Sequence, residues 1–364
     1  MQKSRQKVEK GLIMNTLRYE INQWLKSMQT ETEGYYMMCA HAYQKDLLDA
    51  ISLAYDLDYM LGNDIPEREK DDRKEILDSY QTGKDGFYYE TNAEKVFKNS
   101  SINRVLEMHG NYLTFQVMGA YKAIQRQPIK RISFYDKYIV DIARYLEINC
   151  PWERSPWGAG GMIDNMGTIM KCNIDMGHKE YLKTVDEMID WLDRNQDDTT
   201  GLWRNKDNGQ GINGLVNGGY HLMRGTYFLY NRPFDKAEKI IDTILEDIET
   251  HEFFHDNRAH GCNDLDHFFL LQKCHELVPT YKKKEILKLV KHRKDIILRL
   301  LRCDDGGFSF WGDSAVKLHN YFDVSPGYKE SDMQGTVFYL QTLISINKIL
   351  GVENFGMRDS LSHG

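Results

Sequence analysis

Two aspartates and a histidine fall within four residues at the head of an otherwise apolar stretch, GCNDLDHFFLLQKCHEL, residues 261–277. Asp264, Asp266 and His267 lead, and Phe268, Phe269, Leu270 and Leu271 follow. A polar front on an apolar body reads as a buried helix whose first turn faces something polar. The helix macrodipole and free N–H groups favour carboxylates in a first turn. Capping accounts for one of them, not for a pair plus an imidazole. Two carboxylates close together in a low-dielectric pocket cannot both ionise cheaply, so one keeps its proton. The chemistry this supports is general acid catalysis, with Asp266 as the acid and Asp264 as the neighbouring charge.

Other segments carry related groups. Asp164 and Asp332 each open a D-x-x-G-T run, and helix capping competes with catalysis at both. His221 follows Asn217 by four residues, so the two share a helix face, with Arg224 and Tyr227 close behind. Such a set suits proton transfer beside a negative substrate group. Trp152, Arg154, Trp157, Trp203 and Trp311 lie in long loops. There the rings could stack on sugar faces, stabilise cations through their π faces, or anchor the loops. His319 and Tyr321 are further pocket candidates. Cys262, Asp266, His267, Cys274 and His275 include metal-ligand types, but their spacing matches no zinc pattern. No metal and no cofactor is expected.

Helical periodicity dominates the elements that must position these groups. Amphipathic or apolar helical segments are expected over residues 8–28, 35–61, 66–80, 102–125, 134–148, 162–176, 180–194, 212–230, 234–248, 261–277, 283–301 and 331–350. They alternate between charged amphipathic segments and segments apolar on most sides, which should be buried. Residues 151–161, PWERSPWGAGG, read as a loop. The apolar members recur roughly 50–70 residues apart, a supersecondary-sized period. GLVNGGYH at 214–221 and EMHGN at 107–111 are looser copies of the same opening. The expected fold is all-α: an (α/α)6 toroid of six helical hairpins, one domain over residues 1–364. Six inner helices would gather their N-termini around one funnel.

Composition narrows the function. The chain has 364 residues and a formal net charge of -7, with no basic face of the kind a nucleic-acid binder shows. No apolar run is long enough to span a bilayer, and no signal-peptide core opens the chain. Its 6 cysteines are scattered without a CxxC, as expected of reduced thiols in a cytoplasmic protein. The oligomeric state is not legible.

Two resemblances follow from quoted motifs. NQDDTTGLWRN resembles the D-x-x-T-G-L-W turn of the six-hairpin glycosidases, especially the unsaturated glucuronyl hydrolases. DDGGFSF and QDDTTGLW are similar to the Q-x-x-D-G-x-W repeats of terpenoid cyclases and prenyltransferases. Asp264-Leu-Asp266-His267 resembles the D-x-D-D acid motif of class II cyclases, with His267 in place of the last aspartate, and there is no D-D-x-x-D metal motif. Both families have toroidal folds, and both resemblances imply protonation of a carbon–carbon double bond by a carboxylic acid. The many Asn, Asp, His, Gln and Arg candidates favour a carbohydrate substrate, such as an acidic or unsaturated sugar. An isoprenoid substrate is the alternative, and a non-catalytic ligand-binding toroid is the third reading.

Overall fold

A helix needs an apolar stripe to bury, and one that is apolar all round needs neighbours on every side. The computed structural model, which describes residues 2–91, 93, 102–204, 206–255 and 259–362, sorts the helices on this rule. In chain order the α-helices are α1 (Gln2–Met28), α2 (Leu48–Met60), α3 (Glu67–Ser79), α4 (Ile102–Ala123), α5 (Ile142–Asn149) and α6 (Pro156–Asp175). They continue as α7 (Tyr181–Asn195), α8 (Gly211–Met223), α9 (Ala237–Thr250), α10 (Gly261–Leu277), α11 (Lys283–Ile296) and α12 (Met333–Leu350). Helix α8 runs on through a π-helical turn, Arg224–Phe228, and α11 through another, Ile297–Leu301.

The even-numbered helices are the buried set. α2 packs on α4, α4 on α6, α6 on α8, α8 on α10, α10 on α12, and α12 returns to α2. The odd-numbered helices are amphipathic or charged and pack outside; α7 touches α6, α9 touches α8 and α10, and α11 touches α12. α3 is tied inward by Arg73, which donates to Asp58 of α2 at 2.6 Å and lies over the Tyr55 ring. Among the described residues the chain is therefore all-α apart from a two-stranded hairpin, β1 (Leu318–His319) and β2 (Phe322–Asp323). Among the described residues no helix is long and apolar enough to cross a membrane.

Several expected boundaries shift, each for a local reason. Residues 35–47 are not helical. Gly34 takes a left-handed turn, Tyr36 bridges back to Gln29, and Cys39 bridges to Asp332, so the apolar side chains are buried without a helix. The 134–148 segment divides into a short 3-10 turn, Phe134–Lys137, and α5, which Asp141 caps by accepting from the Arg144 N–H. PWGAGG is helix rather than loop. Ser155 caps α6 by accepting from the Gly158 N–H, and Pro156 occupies the first turn, where its missing donor costs nothing.

Glycines along α6 permit a close backbone approach to α8. A Cβ at Gly160 would collide with the carbonyl oxygen of Gly218, and one at Gly167 with that of Gly225. A Cβ at Gly225 would lie 2.5 Å from the Asp164 Cα. α6 and α8 thus meet backbone to backbone along two turns. Gly161, on the same stretch of α6, faces open space. Gly160→Ala should therefore destabilise the protein by about 1–3 kcal/mol through overpacking. Gly161→Ala should be neutral or stabilising by up to about 1 kcal/mol, the helix-propensity gain of alanine. Urea unfolding of the two variants checks the pair; equal stability would contradict the close approach.

Candidate active site

The α6–α8 contact brings together residues 57 positions apart in sequence. Asp164 Oδ2 accepts from Arg224 Nε at 3.0 Å and is paired with its terminal nitrogen as well. His221 Nδ1 lies 2.9 Å from the same oxygen. The second ring nitrogen of His221, Nε2, points the other way. There it meets Asp266 of α10, whose Oδ2 is 3.8 Å away. That oxygen is buried and has no hydrogen-bond partner among the described residues.

These groups open on a cavity of about 290 Å³. Its wall draws on α4 (Tyr112, Phe115), α6 (Trp157, Gly158, Gly161, Asn165), α8 (His221), α10 (Cys262, Leu265, Asp266), the β1 hairpin (His319) and α12 (Gln334, Phe338). No lysine or arginine lines it. The Arg224 guanidinium stands behind it, 4.3 Å over the Phe115 ring, and is spent on Asp164 and on the backbone oxygen of Ser362. At the far wall His319 Nε2 lies 2.9 Å from the Tyr112 hydroxyl and 2.9 Å from Asp49 Oδ2.

Burial pushes the Asp266 carboxyl well above the ordinary carboxylate range. The nearby Arg224 charge pulls it down and the Asp164 charge pushes it up, and burial dominates. Two carboxylates thus face one imidazole. Asp164 pairs with Arg224 and faces Nδ1 of the ring, while burial favours the neutral form of Asp266 on the other side.

Of the residues the sequence singled out, Asp164, His221, Arg224, Asp266, Trp157 and His319 meet in or behind this cavity. The others go elsewhere. Asp264 is buried in a two-pronged pair with Arg293 of α11, at 2.6 Å for both contacts, so it is not the charge beside Asp266. His267 points outward to Asp247 of α9 at 2.7 Å. Burial alone would raise the Asp247 carboxyl, but hydrogen bonds from His267 and Asn213 outweigh it and hold it below its usual range. Asn217 joins this chain of polar groups through Asn213 and Asn263.

Asp332 is the N-cap of α12, its carboxylate accepting from the N–H groups of Gly335, Phe310 and Val316. Burial lifts it to about 7 against those bonds. Its D-x-x-G-T run and that of Asp164 are not in equivalent places, since Asp164 lies well inside α6.

Trp152 and Trp203 are buried loop anchors, donating to the carbonyls of Leu146 and Leu192. Tyr227 donates to Asp193 at 2.6 Å, outside the cavity. Arg154 is exposed. So are Trp311, edge-on to His260, and Tyr321, beside Met108. Tyr112, Phe115, Asn165, Cys262, Gln334 and Phe338 were not foreseen as cavity residues. Gln334 and Phe338 sit four apart on one face of α12, a spacing that any core helix also shows.

Among the described residues no group of three or more His, Cys, Asp or Glu side chains is arranged to hold a metal ion. No family model, no curated protein and no solved structure matches the chain.

Two outcomes follow from the carboxylates. Asp264→Asn leaves Arg293 buried without its counter-charge and should cost about 3–5 kcal/mol in denaturant unfolding. A loss under 1 kcal/mol would mean the pair is dispensable. Asp266 behaves oppositely. Its folded pKa is raised, so the folded state binds the extra proton. The associated stability is complete below about pH 4, the unfolded value, and declines as pH rises through the folded pKa. The melting temperature of Asp266→Asn should therefore gain on that of the wild type as pH rises above about 4. A variant-minus-wild-type difference in melting temperature that stays constant or falls as pH rises would show Asp266 ionised in the fold.

Proposed function

We propose that this chain is an α/α toroid enzyme that protonates a carbon–carbon double bond in a small, uncharged part of its substrate. Support for the toroid is the closed sequence of contacts from α2 through α12 and back, with the odd helices outside. The observation that carries the chemistry is Asp266: a buried carboxyl whose Oδ2 has no hydrogen-bond partner among the described residues, lining an aromatic-walled cavity 3.8 Å from the His221 imidazole.

The proposed cycle is balanced. The Asp266 O–H bond breaks and a C–H bond forms at one alkene carbon, leaving a cation on the other. The faces of Phe115, Trp157 and Phe338 stabilise it. His221 Nε2 removes a proton from an adjacent carbon, and Asp164 stabilises the imidazolium through Nδ1–H. The imidazolium then returns the proton across the short gap to Asp266. The result is isomerisation or cyclisation with no net proton change.

The wall bears on the substrate. A uronate or a diphosphate inside the cavity would find no lysine or arginine, and an unpaired charge there is costly. An isoprenoid-like alkene fits that wall better than an acidic sugar does. The carbohydrate that the sequence favoured becomes the second reading, carried by the hydrogen bonds that Asn165, Gln334 and His319 offer, and on that reading the sugar ring is neutral. The cavity is at the small end of ligand sites, about 300–1,000 Å³, so it encloses one reacting end of a longer molecule.

The test is a screen of polyprenyl diphosphates and squalene-like lipids against neutral and unsaturated uronyl oligosaccharides. On whichever is turned over, Asp266→Asn should lower kcat by about 10²–10⁴ while substrate binding persists. Near wild-type turnover would remove Asp266 as the acid. Binding without turnover of any of these substrates would favour a ligand-binding toroid.

A further inference from the structure

The later halves of the inner helices end at a second cavity, of about 450 Å³, walled by α2, α10, α12 and the C-terminal segment after α12. It is separate from the acid cavity. On α10 alone, Lys273 stands seven residues beyond Asp266, about 10 Å along the axis.

Three cations face this space: Lys273, Lys348 and Arg358. Among the described residues only Lys348, in the last turn of α12 where the helix dipole also favours a cation, has a carboxylate partner, Asp359, which also lines the cavity. Lys273 is different. Its ammonium lies 5.0 Å from the centre of the Phe269 ring and 5.5 Å from that of Phe228, with no carboxylate in contact. Arg358, an exposed side chain, lies over the Tyr59 ring, 5.2 Å from its centre, and has no ion pair among the described residues. For the partly buried Lys273, ring faces only partly replace an anion. Burial, and then the charge of Lys348, pull the Lys273 ammonium below its ordinary pKa, as expected of a cation short of counter-charge.

We infer that this cavity is an anion-binding site for a phosphate-type oxyanion, held by Lys273 and Arg358 and floored by the C-terminal segment. The floor is itself fastened to the ring: Ser360 Oγ donates to Asp56 Oδ2 at 2.5 Å, and the Leu361 N–H donates to Asp56 Oδ1 at 2.9 Å. The cavity is thus a formed space, with a wall that the rest of the chain holds in place. The inference does not depend on the acid chemistry proposed above.

The experiment is titration calorimetry of the full chain with inorganic phosphate, against chloride at equal ionic strength. Wild type should bind about one phosphate per chain. Lys273→Gln and Arg358→Gln should each weaken it about tenfold or more, the scale of a hydrogen bond to a charged group. Lys282→Gln, a surface lysine paired with Asp242, should leave binding unchanged and serves as the control. Thermal melts of all variants without phosphate show that each is folded. Absence of saturable binding to wild type, or binding that survives both cavity substitutions, would overturn the site.

Discussion

Helices α6 and α8 approach so closely because glycine occupies both sides of their contact, Gly160 against Gly218 and Gly167 against Gly225. Everything at the acid site is built on that approach. Asp164 reaches His221 and Arg224 because Gly225, directly beside its backbone, carries no side chain. A π-helical turn begins at Arg224, and such turns place side chains that a regular helix would aim elsewhere. The glycines are costly to a helix by propensity alone, and the close packing they permit is the compensation.

The same geometry gives the two carboxylates different surroundings. Asp164 and Asp266 flank one imidazole, and the Arg224 guanidinium goes to Asp164. Asp266 is left with burial and no partner, which favours its neutral form. Pairs of titratable groups pushed apart in this way define which acts as acid and which stays charged. Asp332 shows that burial alone is not enough to make a site. It is equally buried and raised to about 7, yet three backbone N–H groups use its oxygens to shape the loop before α12.

Much of the architecture was legible in the sequence, because periodicity and turn residues are local signals. α10 spans the residues its pattern marked, from the turn glycine to the end of the apolar run. The 35–47 segment was misread because apolar residues buried through isolated bridges look like helix when no periodicity test is decisive. Asp266 and His221 were legible as pocket residues, and both line the cavity. The role of Asp264 was not, since its partner Arg293 sits in a charged run that reads as a solvated face, and only the packing of α11 shows that this arginine is buried. Nor could the sequence separate the Asp164 motif from its copy at Asp332, because the two lie at different depths in their helices. Tyr112, Phe115 and Phe338 carry the residue types of any core, and only assembly of the inner helices makes them walls of a cavity.

The account rests on Asp266 carrying a proton near neutral pH. The most direct measurement is an infrared difference spectrum between the wild type and Asp266→Asn at pH 7. A protonated Asp266 predicts loss of a carboxylic-acid C=O stretch in the variant, with no loss of carboxylate bands. A difference spectrum in which carboxylate stretches vanish and no C=O stretch is lost would place a negative charge on Asp266 and contradict its role as the acid.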